Sequence, residues 1–228
     1  GTLAEQGPTG WWTADLAIEN KTDTRELAIG VTANAYRTDQ TRYTLGNWTS
    51  AVGKALTTQA FGKTRQLSAW AEARLFLDAL TVTAGARYDN WRAYDGGLTR
   101  LGTGTLAGQR LANRYAARKH DRVDPSLSFE YRLSGATTLQ LSLATATRYP
   151  TVGELFQGSL NGDGTFNPNS FDPNLKPERS KDANLLIGHD LGWLKLTGSV
   201  FYQRVRNTIF AFTGFNQNGI STSNFKNI

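Results

Sequence analysis

The sequence predicts an all-β chain, built as a segment of an antiparallel transmembrane β-barrel. Three observations support this prediction. Apolar and polar residues alternate along several stretches, short and long connections alternate between those stretches, and no run of about 18 apolar residues exists that could form a membrane-spanning helix. A transmembrane barrel fits a chain with 39% hydrophobic residues and a mean hydropathy of -0.43, because only every second strand residue faces lipid.

The alternation has a period of two residues. In residues 80–88 every even position is apolar, and the odd positions carry threonine, glycine and arginine. This period places one apolar and one polar face on a strand, whereas an amphipathic helix needs apolar residues three and four positions apart. The pattern recurs over residues 27–35, 67–77, 127–133, 139–143 and 194–202. We therefore expect about eight strands and a ninth, which start near Trp12, Leu27, Leu67, Leu80, Leu127, Leu139, Ala183, Leu194 and Ser223.

The connections between these strands alternate in length. Tight turns are predicted at residues 20–23, 78–79, 134–136 and 190–192, and long polar loops at residues 37–64, 90–121 and 150–177. Outer-membrane barrels show this alternation because their periplasmic turns are short and their outer loops are long. The strands that run outward are therefore those that end near Tyr36, Tyr88, Arg148 and Arg204.

The composition argues against several other classes of protein. The chain has no cysteine, which excludes disulfides, zinc ribbons and thiol nucleophiles. The two histidines, His120 and His189, are far apart in the sequence and have no neighbouring partners that suggest a catalytic triad or a metal site. We therefore expect no enzyme activity, no cofactor, no resident metal and no nucleic-acid partner.

One segment carries a two-part motif. Residues 148–156 read RYPTVGELF and residues 173–180 read PNLKPERS, so the two parts lie at either end of the last long loop. The motif resembles the loop of TonB-dependent outer-membrane receptors in which Arg-x-Pro-x-x-x-Glu-Leu-Phe precedes Asn-Pro-x-Leu-Lys-Pro-Glu-x-Ser. The matching residues are Arg148, Pro150, Glu154, Leu155, Phe156, Pro173, Asn174, Leu175, Lys176, Pro177, Glu178 and Ser180. Residues 85–91, 124–133 and 198–210 resemble neighbouring strands of the same family.

The resemblance implies a larger protein in the bacterial outer membrane. Receptors of this family have about 22 strands around a plug domain, so residues 1–228 would form part of the barrel domain, and the plug and the remaining strands would lie outside this chain. It implies active import of a scarce nutrient, and we expect a ferric siderophore or another metal chelate. The implied partners are a TonB-type energising complex, reached through the plug, and the surrounding lipid and lipopolysaccharide.

The motif residues are expected to be mainly structural. Proline removes a backbone donor and restricts the residue before it, so Pro150 and Pro177 would stiffen the base of the loop. Glu178 is expected to anchor that base through charged hydrogen bonds. Where the family commonly places a lumen-facing glutamate, this chain has Asn184, which puts an inherited salt bridge to the plug in doubt.

Ligand contacts are expected at the mouth of the barrel. The net charge of +6 is concentrated in residues 90–121, which carry most of the excess arginines, and a basic rim favours anionic solutes or lipopolysaccharide phosphates. The candidate ligand-binding residues are Arg148, Tyr149, Phe156, Phe166, Phe171, Arg110 and Arg114.

Two other functional classes stay open at this point. A passive porin-like or structural outer-membrane barrel would show the same strand pattern without a plug. A soluble β-rich binding module would also alternate polar and apolar residues, because any antiparallel sheet that covers a core does so. The second alternative predicts a chain that stays monodisperse without detergent, whereas a barrel segment should aggregate.

Overall fold

The structure of the chain is a computed structural model that describes residues 1–167, 170, 172–215 and 221–228, with the backbone alone for residues 215 and 221–223. These ranges contain one short α-helix, α1 (Val152–Phe156), and a 3-10 turn at Gly104–Leu106. No helix in the described ranges is long and apolar enough to cross a membrane. The strands are β1 (Thr2–Gln6), β2 (Gly10–Lys21), β3 (Arg25–Thr44), β4 (Ala55–Leu77), β5 (Leu80–Leu101), β6 (Arg110–Arg114), β7 (Arg118–Arg132), β8 (Thr137–Arg148), β9 (Glu178–Asp190), β10 (Lys195–Arg206), β11 (Ile209–Phe215) and β12 (Ser221–Asn227).

Most of the strands form one antiparallel sheet. Its order is β1-β3-β4-β5-β7-β8-β9-β10, and β11 pairs with β12 in a separate ribbon. The strands β1 and β2 pair with successive parts of β3, and β6 and β7 pair with successive parts of β5. Each of these two pairs is therefore one interrupted strand of the sheet, so the ten strands make eight courses across it. This confirms the all-β antiparallel prediction, and each of the eight predicted starts lies in or next to a strand of the sheet. The strands β4 and β7 begin well before the predicted Leu67 and Leu127, at Ala55 and Arg118.

The prediction of long loops was wrong for two of the three segments. The strands β3 and β4 extend through most of residues 37–64, and β5, β6 and β7 through most of residues 90–121. The short strands β1, β6 and β11 were also not predicted. Backbone pairing continues here although the apolar alternation has ended, because ladder hydrogen bonds do not require an apolar face. The third segment, residues 150–177, contains the short helix α1 and no strand in its described part, as the loop prediction requires.

The register separates the sheet into two faces. Cross-strand neighbours share a face, and the rows Leu16–Val31–Ala69–Tyr88–Val123 and Ala14–Ala33–Leu67–Asn90–Asp121 run side by side across five strands. We call the face that carries these rows the outer face. Its apolar side chains are exposed: Leu16 and Val200 show 66% and 72% of their surface. A large contiguous apolar surface of this kind marks contact with lipid or protein.

The height of the apolar outer face matches a membrane. On β4 the apolar positions run from Leu67 to Leu77, which is about 33 Å along the strand. At the roughly 40° tilt of membrane barrels this gives a band about 25 Å tall, the value expected for the lipid-facing surface. The four tight turns that close this end of the sheet lie where they were predicted, and Asp78 adopts the left-handed conformation (φ 48°) in the two-residue turn between β4 and β5.

Candidate functional site

We call residues 149–177 the motif loop, and its described part lies on the inner face near the end of the sheet opposite the tight turns. Its first part forms α1 because Thr151 and Glu154 make a capping box. The Thr151 hydroxyl accepts a hydrogen bond from the Glu154 amide, and the Glu154 carboxylate accepts one from the Thr151 amide at 2.7 Å. The helix contacts β3, β4 and β5, which places the loop across three strands of the wall.

Arg148 joins both parts of the motif. Its guanidinium donates two hydrogen bonds to Glu178, at 2.6 and 3.0 Å, and two to Glu154, at 3.0 and 3.2 Å. The Glu178 carboxylate also accepts the amide proton of Ile209. Hydrogen bonding to Arg148 lowers the pKa of Glu178, so this carboxylate stays ionised. Glu178 thus makes charged hydrogen bonds at the base of the loop to the arginine at its other end, and its anchoring role stays a prediction.

A small apolar core holds the loop against the wall. Leu155 and Leu175, one from each part of the motif, are 1% and 0% exposed. They pack in one cluster with Trp91 and Tyr149, whose rings stack with centroids 5.5 Å apart. Burying such side chains stabilises the docked loop by about 1.5–3 kcal/mol each. The leucines of the motif are thus packing residues.

Phe156 lies over two glycines on neighbouring strands. A Cβ atom built on Gly62 of β4 or on Gly96 of β5 would collide with the Phe156 ring. Both glycines lie where the β4–β5 register shifts, next to Asp95 in a left-handed conformation (φ 53°). An irregularity of this kind re-aims side chains, and the glycines leave the space that the ring fills.

Two arginines of the predicted basic rim bind the loop backbone. Arg118 donates to the carbonyl oxygens of Pro173 and Leu175, each at 2.6 Å, and Arg100 donates to that of Leu160 at 2.5 Å. Burial lowers the pKa of Arg118. These two charges therefore position the loop from inside the sheet.

The candidate ligand-binding residues divide between the two faces. Arg148, Tyr149, Phe156 and Phe166 come together on the inner side, with Tyr149 and Phe156 buried and Phe166 stacked on Tyr115 at 4.8 Å. Phe171 lies outside the described residues. Arg114 faces outward beside Phe61, with its guanidinium 4.7 Å from the ring centroid, and Arg110 faces outward and donates to Gln59 at 3.1 Å.

A cavity of about 270 Å³ separates the base of the loop from the wall. The wall contributes Tyr36, Gln66 and Trp91, and the base of the loop contributes Arg148 and Tyr149. The Tyr149 hydroxyl is buried and has no hydrogen-bond partner among the described residues, and burial raises the pKa of Tyr149, so the group is a neutral donor. Within the described ranges, no three acidic or histidine side chains are placed to hold a metal ion.

Below the loop, the inner face is polar. The Asp89 carboxylate is 4% exposed and accepts hydrogen bonds from Ser68, Gln66 and Arg87 at 2.5, 3.0 and 2.9 Å. The position expected to differ from the family, Asn184, lies on this face one strand from Ser142. A polar inner face opposite an apolar outer face is the arrangement of a barrel with a wet interior.

Comparison with known families decides the assignment. The family model for the TonB dependent receptor-like β-barrel matches residues 2–228. The chain belongs to this family. The two-part motif at residues 148–156 and 173–180 therefore lies within the barrel domain of a family member. Among curated proteins, no sequence matches the chain.

Several solved receptors share the fold of this receptor barrel segment. The copper transporter OprC is 18% identical and covers 100% of the chain with a TM-score of 0.72. The ferric yersiniabactin uptake receptor FyuA from Yersinia pestis is 13% identical over 92% of the chain (TM-score 0.61). The ferric-catecholate import receptor Fiu from E. coli is 16% identical over 97% (TM-score 0.56). The chain spans 34%, 30% and 33% of these three proteins, respectively, about a third of their length.

Sequence reasoning missed several residues that build the site of this receptor segment. It did not single out Trp91, which stacks on Tyr149, or the glycine pair beneath Phe156. It assigned Arg118 to a solvent-facing rim, although Arg118 binds the loop backbone. The strand alternation could have signalled Trp91, because it has the parity of the inner face of β5.

Proposed function

We propose that the chain is part of the barrel wall of an outer-membrane receptor that actively imports a metal chelate, a ferric siderophore above all, with energy from a TonB-type complex. The energising complex would act through a plug domain encoded outside these residues. The observation that carries the proposal is the motif loop held on the inner face, where an incoming solute must pass. The chain belongs to the receptor family, and the names of the similar receptors give copper or ferric chelates as their cargo. Both observations support a metal chelate as the substrate.

Three features of the loop base support ligand contact. Arg148 keeps 44% of its side chain exposed although both carboxylates bind it, so a face of the guanidinium remains open to an anion. Tyr149 lines the cavity, and its hydroxyl is buried and has no hydrogen-bond partner among the described residues. The cavity of about 270 Å³ is close to the lower end of small-molecule sites, which begin at roughly 300 Å³. In this proposal Arg148 and Tyr149 contact the ligand, together with Phe166 and Phe171 from the middle of the loop.

The remaining candidates have different places in the proposal. Phe156 is 4% exposed and supports the ligand-contacting residues from beneath. Arg110 and Arg114 lie on the outer face, where they add to the positive potential that attracts an anionic chelate from solution. The other motif residues, Pro150, Glu154, Leu155, Asn174, Leu175, Lys176, Pro177, Glu178 and Ser180, hold the loop in place.

The test is uptake by cells that carry the full-length receptor as their only route for the metal. Radiolabelled iron is supplied as a panel of ferric siderophores, and copper chelates form a second panel. We expect saturable accumulation of at least one chelate that stops when the TonB-type protein is inactivated. Accumulation that rises linearly with concentration and survives this inactivation would support the passive porin alternative and overturn the proposal. The matched variants are Tyr149→Phe, which removes the free hydroxyl, and Tyr202→Phe on the outer face as control.

A further inference from the structure

The ribbon of β11 and β12 packs against the motif loop with one of its faces. Ile209 is 8% exposed and belongs to the same apolar cluster as Leu175, and Phe225 packs against that cluster from β12. Ile209 pairs with Asn227, and residues two positions apart on a strand share a face, so Asn227 lies on the docked face as well. The opposite face carries Phe210, which is 50% exposed.

Asn227 binds the backbone of Lys176 in the motif loop. The Lys176 amide donates to Oδ1 of Asn227 at 2.7 Å, and Nδ2 of Asn227 donates to the Lys176 carbonyl oxygen at 2.9 Å. Two residues in a hydrogen-bonded pair of antiparallel strands exchange the same two bonds, so the carboxamide takes the place of a neighbouring strand. The same Nδ2 group also donates to the carbonyl oxygen of Asn207 at 2.7 Å, in the left-handed turn (φ 55°) that leads from β10 into β11. One side chain therefore joins the ribbon, its own turn and the motif loop.

The second part of the motif needs such a partner because it lies outside the sheet. Residues 172–177, which all belong to the described ranges, form no strand. Leu175 and Pro177, on either side of Lys176, are buried, and buried backbone groups are almost always hydrogen bonded. Arg118 of the wall binds the carbonyl oxygen of Leu175, and the ribbon supplies the partners of Lys176.

The contact at Lys176 lies two residues before Glu178. The Glu178 carboxylate accepts hydrogen bonds from Arg148 and from the Ile209 amide, so the ribbon and the base of the loop meet at this carboxylate. Pro177 lies between Lys176 and Glu178, and its ring fixes φ, so a displacement of Lys176 is transmitted to Glu178. The position of Glu178 therefore depends on the ribbon as well as on Arg148.

We propose that Asn227 is a positioning residue of the candidate ligand site, which holds Lys176 so that Glu178 stays within reach of Arg148. The hairpin that follows β10 is thus part of the frame of the site, and it moves together with the motif loop as one unit. A frame that is ordered before the ligand arrives raises affinity, because binding then has less freedom to remove. This inference rests on the proposed function, in which Arg148 and Tyr149 contact the ligand.

The test uses the full-length receptor with a spin label at Lys176→Cys, where the side chain is exposed. Asn227→Leu keeps the approximate size of the side chain and removes its hydrogen-bonding groups, and Phe210→Leu on the opposite face of the ribbon is the control. Losing the hydrogen bonds of one carboxamide should raise the mobile fraction of the label about tenfold in Asn227→Leu and leave it unchanged in the control. Asn227→Gln keeps the carboxamide at a displaced position and should give a smaller rise, which keeps the test decisive if Asn227→Leu does not fold. Heat-dependent gel mobility shows whether each variant is folded.

A pH profile separates positioning from a general loss of stability. In the unaltered receptor the label should become mobile in acid as Glu178 takes up a proton. In Asn227→Leu, Glu178 loses part of its contact with Arg148, so the acid midpoint should move up toward 4.5, the ordinary pKa of this group. An unchanged midpoint, or equal label mobility in Asn227→Leu and the control, would overturn the proposal.

Uptake of the ferric siderophore panel keeps this proposal apart from the import proposal. For a chelate that the unaltered receptor imports, the half-saturating concentration should rise in Asn227→Leu while the maximal rate is kept. An unchanged half-saturating concentration would overturn the link between Asn227 and the ligand site. If the unaltered receptor imports no chelate of the panel, the import proposal fails, and the label and the pH profile still decide whether Asn227 positions Glu178.

Discussion

The guanidinium of Arg148 holds the carboxylate of Glu178 through two parallel hydrogen bonds, at 2.6 and 3.0 Å, that join the end of β8 to the start of β9. The same guanidinium binds Glu154 at the start of α1. The two ends of a loop of about thirty residues are therefore closed by one side chain, which reduces the freedom of the loop before any ligand arrives. Ligand affinity depends on this kind of preorganisation.

Replacing Arg148 should release the loop from the wall. Arg148→Met leaves Glu154 and Glu178, 13% and 16% exposed, without their donor. We expect a cost of about 2 kcal/mol, toward the low end of the range for charged hydrogen bonds because the guanidinium is partly exposed. Arg148→Lys keeps the charge but loses the two parallel hydrogen bonds. Its cost should therefore lie between that of Arg148→Met and zero. The measurement is the mobility of a spin label attached at Lys176→Cys, which should rise as the loop is released. Equal mobility in the unaltered receptor, Arg148→Met and Arg148→Lys would contradict the role of Arg148 in holding the loop.

Filling the space beneath Phe156 should displace the helix. Gly62→Ala adds a Cβ atom where the Phe156 ring lies, and overpacking of this kind costs about 1–3 kcal/mol. Gly188→Ala on β9 is the control, because nothing lies within 4 Å of the added atom. Thermal unfolding of the full-length receptor should show the difference. Adding Phe156→Leu should recover part of the loss in the Gly62 variant, and a failure to recover would show that the two residues are not coupled.

The docked loop should be sensitive to acid through Glu178. Because the folded-state pKa of Glu178 lies below its ordinary value of 4.5, ionised Glu178 stabilises the docked loop above that value. This stabilisation of the docked loop begins to fall below pH 4.5 and is lost as the pH drops through the lowered pKa of Glu178. The label at residue 176 should therefore become more mobile over this acidic window. Glu178→Gln should be mobile already at neutral pH and should lose the Glu178-dependent part of the acid response; an unchanged acid response would rule out Glu178 as its source.

The sequence predicted the part of the sheet that carries the apolar outer face well. Residues such as Val82 and Leu141 lie on the apolar outer face while their sequence neighbours lie on the polar inner face, and this leaves a period of two that is visible without a structure. Beyond the apolar band both faces of a strand are polar or packed against loops. The extension of β3 to Thr44 and of β5 to Leu101 left no such signal.

The sequence indicated many of the residues of the candidate site, but it did not indicate which of them contact one another. The motif indicated the loop and its anchoring glutamate, because proline and charge at a strand end have local meaning. The pairing of Phe156 with Gly62 and Gly96 depends on residues 60 to 94 positions away in sequence, and no local pattern reports it. The register shift near Asp95 also changes which face each later arginine occupies, so Arg100 and Arg114 could not be separated from the sequence.

The separation of the two faces is the claim on which the rest depends, and accessibility of spin labels tests it directly. Because the chain contains no cysteine, single labels at Leu141→Cys and Gln140→Cys report on adjacent residues of β8. In the full-length receptor in bilayers, we expect the label at residue 141 to be relaxed by oxygen dissolved in lipid and shielded from a water-soluble nickel chelate. The label at residue 140 should show the reverse. Equal accessibility of both labels to the nickel chelate would contradict the barrel and, with it, the proposed transport.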